Sequence, residues 1–301
     1  MPSSTSSSES IIQTARRPPT PGEHSCARDR VPACWNPAAV VLTILTAIAL
    51  LGAAEWLWRS RGFEPFVSDD MALWAIHRDR VDAEPDTVVL MGASRILGGV
   101  ATDVFRNRYP NRKLIQLAIP GHGPVGVLRD LAEASDFRGM AVVSADPYFL
   151  SRATWDFSRQ YMDFHRRRLR LNTRLNRLIA TLFQSHLASV QPELSLRKTL
   201  FAILRTRSLQ KPWVVTQRPD RSVVYRYNRA SDTDFERWRD AAARSVQQHM
   251  EEAGSSLAQV GEWQGNLLSI DRSVTTIQKR GGHVVFVCFP VDGPRKEFED
   301  A

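Results

Sequence analysis

Thr87-Val88-Val89-Leu90-Met91 is a short apolar run that follows Pro85 and ends at Gly92-Ala93-Ser94-Arg95. A run of this length, rich in β-branched residues and left through small ones, reads as a buried strand ending in a tight turn. Three similar runs follow: Lys113 to Ala118, Met140 to Ser144, and His283 to Phe289, the last introduced by Gly281-Gly282. Helical patterns lie between or before them. Ser68 to about Val81 is one, with Ser68 or Asp69 as its cap; Ala101 to Arg108 is a second; Pro124 to Ala134 is a third, with proline at an allowed early position. Apolar strands separated by helices imply a parallel sheet covered on both faces, which sets the class as α/β.

The third and fourth strands are separated by a long stretch, about residues 150–280, that is mostly helical by pattern. Leu171, Leu175, Leu178 and Leu182 recur at helical spacing, as do Trp238, Ala242, Val246 and Met250. Trp213-Val214-Val215 and Val223-Val224-Tyr225 suit a small hairpin. This stretch reads as an insertion or cap on a sheet domain covering residues 65–301.

Ahead of that domain, residues 1–36 are rich in Ser, Thr, Pro and Arg, a composition that cannot bury enough surface to order itself. Residues 37–58 are different. No charge interrupts them before Glu55, and with Trp56, Leu57 and Trp58 they reach the roughly 20 residues that cross a bilayer. A core helix would carry a polar face, and a signal peptide would be shorter and nearer the terminus, so a single retained transmembrane helix is expected. The tryptophans stand where an interfacial belt would be. Arg28 and Arg30 precede the span and Arg59 and Arg61 follow it; Arg16 and Arg17 tip the count towards a cytoplasmic N-terminus.

The chain has a net charge of +8, carried almost wholly by arginine, which suits an anionic surface without selecting one. The densest run is Arg166-Arg167-Arg168-Leu169-Arg170 with Arg174 and Arg177, readable as a contact for lipid headgroups or an anionic polymer, or as a solvated helix face. It lacks interleaved aromatics, and no recognition module is visible, so nucleic acid is not an expected partner. No Walker loop, dinucleotide fingerprint or EF-hand occurs, and Cys26, Cys34 and Cys288 match no metal spacing. No cofactor or metal is therefore expected. Cys288, in an apolar strand, reads as a small buried residue.

In an open parallel sheet, ligands bind at the carboxyl ends of the strands. There the chain carries Gly92-Ala93-Ser94-Arg95, Ile119-Pro120-Gly121-His122-Gly123, Ala145-Asp146-Pro147 and Pro290-Val291-Asp292. A serine just past a strand, after small residues, has its oxygen exposed and the amides of the next helix at hand for an oxyanion. The same residues also make a good turn with a serine helix cap. A relay of Ser94, His122 and Asp146 is topologically allowed, against the simpler reading of His122 as a loop residue between two glycines.

Val88 to Arg95 resembles the first block of the SGNH, or GDSL-like, hydrolases, and Gln116-Leu117-Ala118-Ile119-Pro120-Gly121 is similar to the second. The resemblance covers about residues 87–146 and 281–290. It implies a flavodoxin-like three-layer domain in which Ser94 is the nucleophile and Gly121 an oxyanion donor. It also implies the chemistry of an esterase or O-acyltransferase of cell-envelope glycans, facing the extracytoplasmic side, with an envelope polysaccharide or an acyl-transfer membrane protein as partner. Two departures stand out. Ser144-Ala145-Asp146-Pro147 occupies the third block without its asparagine, and no Asp-x-x-His follows the fourth strand. The resemblance implies one more strand and helix carrying that motif, so the domain is expected to be incomplete at its C-terminus. Without a base a serine stays protonated and is a poor nucleophile. The alternative is an inactive, membrane-anchored binding or scaffold protein of the same fold.

Overall fold

The computed structural model of the protein describes residues 36–145, 155–207, 209–253, 258–290 and 296. The first helix, α1, runs Pro37–Ser60. Its 24 residues extend about 36 Å at about 1.5 Å per residue, against about 30 Å for a hydrocarbon core. The helix is long and apolar enough to cross a membrane, and none of its apolar window is buried among the described residues. Its two threonines satisfy themselves within the helix: Thr43 Oγ1 donates to the Ala39 carbonyl and Thr46 Oγ1 to that of Leu42, both at 2.8 Å. The chain divides into two compact units inside α1, between Ile48 and Ala49. All that follows belongs to the second.

The sheet is assembled from β1 (Val88–Met91), β2 (Leu114–Gln116), β3 (Met140–Ser144) and β6 (His283–Val287), in the order β2-β1-β3-β6 and parallel throughout. Val88 sits opposite both Leu114 and Met140, and Met140 opposite His283. Because successive side chains alternate between faces, the two sides fill separately. Val89, Met91, Ile115, Ala141 and Val143 enter one buried cluster. They meet α2 (Met71–Ala83), α5 (Val125–Ala134), α6 (Trp155–Arg168) and α10 (Ala258–Lys279) through Trp74, Leu128, Met162 and Ile277. Leu90 enters a smaller cluster on the other face, with Ile96 and Leu97 of α3 (Ser94–Gly99), Ala118, and the partly buried Val142, Val223 and Phe289. Both faces of the central strand β1 are covered, as the strand pattern predicts, while the edge strand β6 is partly exposed on both. Helix α4 (Thr102–Arg108) completes the link from β1 to β2.

Within the long stretch between β3 and β6, α6 and α10 belong to the main core, while α7 (Leu171–His186), α8 (Leu196–Thr206), the antiparallel hairpin β4 (Val215–Gln217) and β5 (Val223–Tyr225), and α9 (Asp232–Ala253) extend outside it.

Two expectations need correction. The cap of α2 is Asp70, whose Oδ1 accepts from the Leu73 amide at 2.8 Å; neither Ser68 nor Asp69 takes that place. Asp69 is engaged elsewhere, by Arg221. Cys288 is exposed rather than buried. It follows β6, which among the described residues pairs only with β3, so Val285 and Phe286 are also 42% and 44% exposed.

Candidate functional site at the carboxyl edge of the sheet

Gly92 ends β1 with φ +149°, a conformation side chains rarely adopt. A Cβ there would lie 2.6 Å from Ser144 Cβ and 2.8 Å from Ile96 Cγ2, so the turn also needs the missing side chain for space. Glycine lets the chain fold sharply over the end of β3, and Ser94 emerges exposed as the first residue of α3.

Beyond β2 the chain keeps bonding to β1. The Leu117 amide donates to the Leu90 carbonyl and the Ile119 amide to the Gly92 carbonyl, each at 2.9 Å. Ser94 lies two residues past Gly92 and Gly121 two residues past Ile119, so both leave the sheet from one rung. Gly121 is exposed, at φ +73°, and its amide donates no hydrogen bond among the described residues.

His122 is on the same edge and bonds to its own loop. Its Nδ1 donates to the Pro120 carbonyl at 2.7 Å, and its ring stands edge-on to Tyr161 with centroids 5.7 Å apart. The Nδ1–H tautomer leaves Nε2 as the basic nitrogen. No hydrogen bond joins His122 to Ser94 among the described residues. Asp146 lies outside the described residues. The structure thus brings Ser94 and Gly121 to one edge, with no Ser94–His122 hydrogen bond among the described residues.

Sequence reasoning missed the opposite wall. Ser94, Arg95, Gly98, Gly99, Tyr225 and Tyr227 line an open pocket of about 290 Å³. The Tyr225 ring occupies the place that a side chain at Gly98 would fill. Tyr225 stacks on Tyr227 (5.3 Å, 7°), Tyr227 on Phe235 (6.2 Å, 28°), and Phe235 meets Trp238 edge-on at 5.4 Å. An aromatic row therefore leads from the pocket on to α9. Burial, and then the neighbouring Tyr227, pushes the Tyr225 phenol above its ordinary pKa. The available signal was the Tyr-x-Tyr spacing at 225 and 227, which puts both rings on one side of an extended chain.

The hairpin that carries this wall is clamped to the sheet through its turn. Arg221 is fully buried, in the left-handed region at φ +64°. Its guanidinium donates twice to Asp69, at 2.8 Å to each oxygen, and to the carbonyls of Gln116 (2.7 Å) and Ala118 (2.9 Å) at the end of β2. Beside it, His77 of α2 donates from Nε2 to the Pro219 carbonyl at 3.0 Å. Burial, then the charges of Arg80 and Arg221, holds the His77 pKa down to about 4. Asp220 completes the turn. Burial would raise its pKa, but the Ser222 hydroxyl and amide together with Arg106 hold it below the usual carboxylate value.

The arginine-rich run is only partly a surface feature. Arg166 donates to Asp130 Oδ1 at 2.6 Å, Arg174 pairs with Asp79, and Arg177 is buried against the Ser68 carbonyl. Arg167, Arg168 and Arg170 are exposed. Part of the run is thus internal bonding that joins α6 and α7 to α2 and α5. Arg78, fully buried, completes it with bonds to Asp130 Oδ2 (2.7 Å) and Asp82 Oδ1 (2.6 Å). Asp79, Asp82 and His165 gather their ligand atoms within 4.8 Å of one another. Arg174 and His165 already hold Asp79, and Arg78 holds Asp82, so a cation would have to displace a guanidinium. Burial and then the charge of Arg78 lower the His165 pKa.

Comparison with protein-family models, curated proteins and solved structures finds no match to the chain. The functional reading therefore stands on the residues and their geometry.

Proposed function

We propose that this is a single-span membrane protein whose second unit is an SGNH-type, flavodoxin-like domain for acyl-ester chemistry on a cell-envelope glycan. The observation that carries the reading is the shared rung. Ser94 and Gly121 leave adjacent parallel strands from one hydrogen-bonded station, Ser94 exposed and the Gly121 amide without a partner among the described residues. In an acyl transfer Ser94 Oγ would add to the ester carbonyl as its proton passes to a base from solvent, the Gly121 amide would donate to the developing oxyanion, and collapse of the adduct would break the ester C–O bond and release the glycan hydroxyl as a protonated alcohol. The aromatic row beside Ser94 suits a saccharide, whose C–H faces stack on rings and whose hydroxyls reach tyrosine oxygens. Helix α1 supplies the tether, with the domain on the extracytoplasmic side.

A second reading keeps the fold and drops the chemistry. His122 spends Nδ1 on its own loop and shares no hydrogen bond with Ser94, so the serine has no base hydrogen-bonded to it among the described residues. A domain in that state binds glycan without turning it over.

One experiment separates the two readings. The detergent-solubilised chain is treated with a fluorophosphonate probe, beside Ser94→Ala. Labelling that vanishes in the variant is the expected result for an activated serine. Folded protein that takes no label, yet binds an acetylated oligosaccharide through Tyr227, would establish the binding reading instead.

A further inference from the structure

Helix α7 is amphipathic in the opposite sense to a helix packed on a water-soluble domain. Its buried side chains are Arg177 and Gln184. Arg177 donates to the Ser68 carbonyl, shares Gln184 Oε1 at 3.4 Å and pairs with Asp70 Oδ2 at 3.4 Å, so the polar face is the one turned inward. The outward face carries Leu171, Leu175, Leu178, Leu182 and Phe183, with Leu171 82% exposed. A surface helix in water buries its apolar stripe and exposes its polar one. Here the arrangement is reversed, and the domain satisfies the polar face with specific hydrogen bonds.

Helix α8 repeats the feature. Leu200, Phe201, Ile203 and Leu204 are exposed, Leu204 by 74%. The exposed Arg197, Lys198, Arg205 and Arg207 flank them. A short helix with leucine and phenylalanine on one side and basic residues around it has the composition of one that lies in a membrane interface.

Both helices are held at the C-terminal end of α1. Arg59 Nη2 donates to the His186 carbonyl, the last residue of α7, at 2.7 Å. The Glu55 carboxylate accepts from the amides of Ala188 at 3.0 Å and Ser189 at 2.9 Å. Trp58 and Phe63 form a buried cluster with Ala188 and Leu194, and the partly buried Leu209 and Trp213 close on it. The chain thus returns to Trp58 before α8 and again after it. Residues 55–59 are also where the apolar run ends in tryptophan and arginine, the signature of a bilayer boundary.

We propose that α7 and α8 lie in the headgroup region of the bilayer that α1 crosses, their apolar faces in the acyl boundary, with Arg170 ahead of α7 and Arg197, Lys198, Arg205 and Arg207 around α8 at the phosphates. The inference rests on the reading of α1 as a span. The occupant of these faces is lipid rather than a second copy of the chain because both helices are fastened at the level where the span leaves the membrane. Their basic flanks also match anionic headgroups.

The test uses the full chain in vesicles of phosphatidylcholine and phosphatidylglycerol, with Cys26, Cys34 and Cys288 changed to serine. Nitroxide labels are placed singly through Leu178→Cys, Leu204→Cys, Ile44→Cys and Arg237→Cys. Collision with oxygen, which concentrates in lipid, is compared with collision with a neutral nickel chelate, which stays in water. Labels at 178 and 204 are expected to follow the span label at 44, oxygen-rich and nickel-poor, with 237 the reverse. If 44 is lipid-like while 178 and 204 meet nickel as 237 does, the helices lie in water and the proposal fails with the span intact. Exclusion of both reagents at 178 and 204 would show a protein cover and overturn it equally. Nickel access at 44 would remove the span and this inference with it.

Discussion

Lowering the pH from 7.5 to 4.5 should weaken the folded domain, with the buried imidazole of His77 as the largest contributor. His77 is 2% exposed and gives its Nε2 proton to the Pro219 carbonyl. Its pKa is about 4 in the folded protein, against 6.5 for an unperturbed histidine. Above pH 6.5 the imidazole is neutral in both states, and its neutral packing contributes fully. Between 6.5 and 4 the unfolded chain binds a proton that the folded chain refuses, so stability falls; below 4 both states are protonated and the loss is complete. The gap of about 2.5 pH units corresponds to roughly 3 kcal/mol, most of it gone by about pH 4.5. Urea unfolding in dodecyl maltoside, followed by circular dichroism at both pH values, measures it. His77→Gln keeps a donor for Pro219 and removes the titration, so its curve should lack that part of the loss while retaining what His165 contributes in the same direction. If wild type and His77→Gln lose the same stability over this interval, or if the His77 resonance titrates near 6.5, the reasoning is refuted.

Two further outcomes follow from the same region. Gly92→Ala places a Cβ 2.6 Å from Ser144 Cβ, an atom rooted in β3 that cannot swing away, at a positive φ. A loss of about 2–5 kcal/mol is expected in the same unfolding assay, and a loss under about 1 kcal/mol would show that the turn is not under this constraint. Arg221→Ala leaves Asp69 and the Gln116 and Ala118 carbonyls without their shared donor, so about 3–5 kcal/mol is expected, with amide exchange rising first across residues 215–225. Arg221→Lys should not rescue it, because a single ammonium cannot span a bidentate carboxylate and two carbonyls at once. Unchanged exchange in the hairpin would mean that the clamp does not hold it.

The arginines show how composition and position part company. A net charge of +8 suggests a surface seeking anions. Yet Arg78 and Arg221 are fully buried and Arg177 nearly so, each tied to an aspartate or to main-chain carbonyls. A planar group with five donors can satisfy a carboxylate and a carbonyl together, which makes arginine useful for fastening helices and a hairpin to a sheet. The charge left for a partner is correspondingly smaller and more localised, chiefly at Arg167, Arg168 and Arg170 and along α8.

What the amino-acid order alone determined is local. The four apolar runs became four parallel strands because short β-branched segments bounded by Gly and Pro have few other ways to be buried. Residues 37–58 declared an exposed apolar helix through uninterrupted hydrophobicity. Ser94 and Gly121 were legible as candidates because the ends of parallel strands share an edge. Everything that depended on segments distant in sequence needed the tertiary structure. Arg221 reaches Asp69 across 152 residues, Tyr225 closes on Gly98, and the leucines of α7, read at helical spacing, proved to face outward while Arg177 faced in. Periodicity marks a stripe but carries no sign for its direction. That direction is set by which surface offers partners, and here the sheet domain offered carbonyls and carboxylates to α7, leaving its apolar face to be covered by something else.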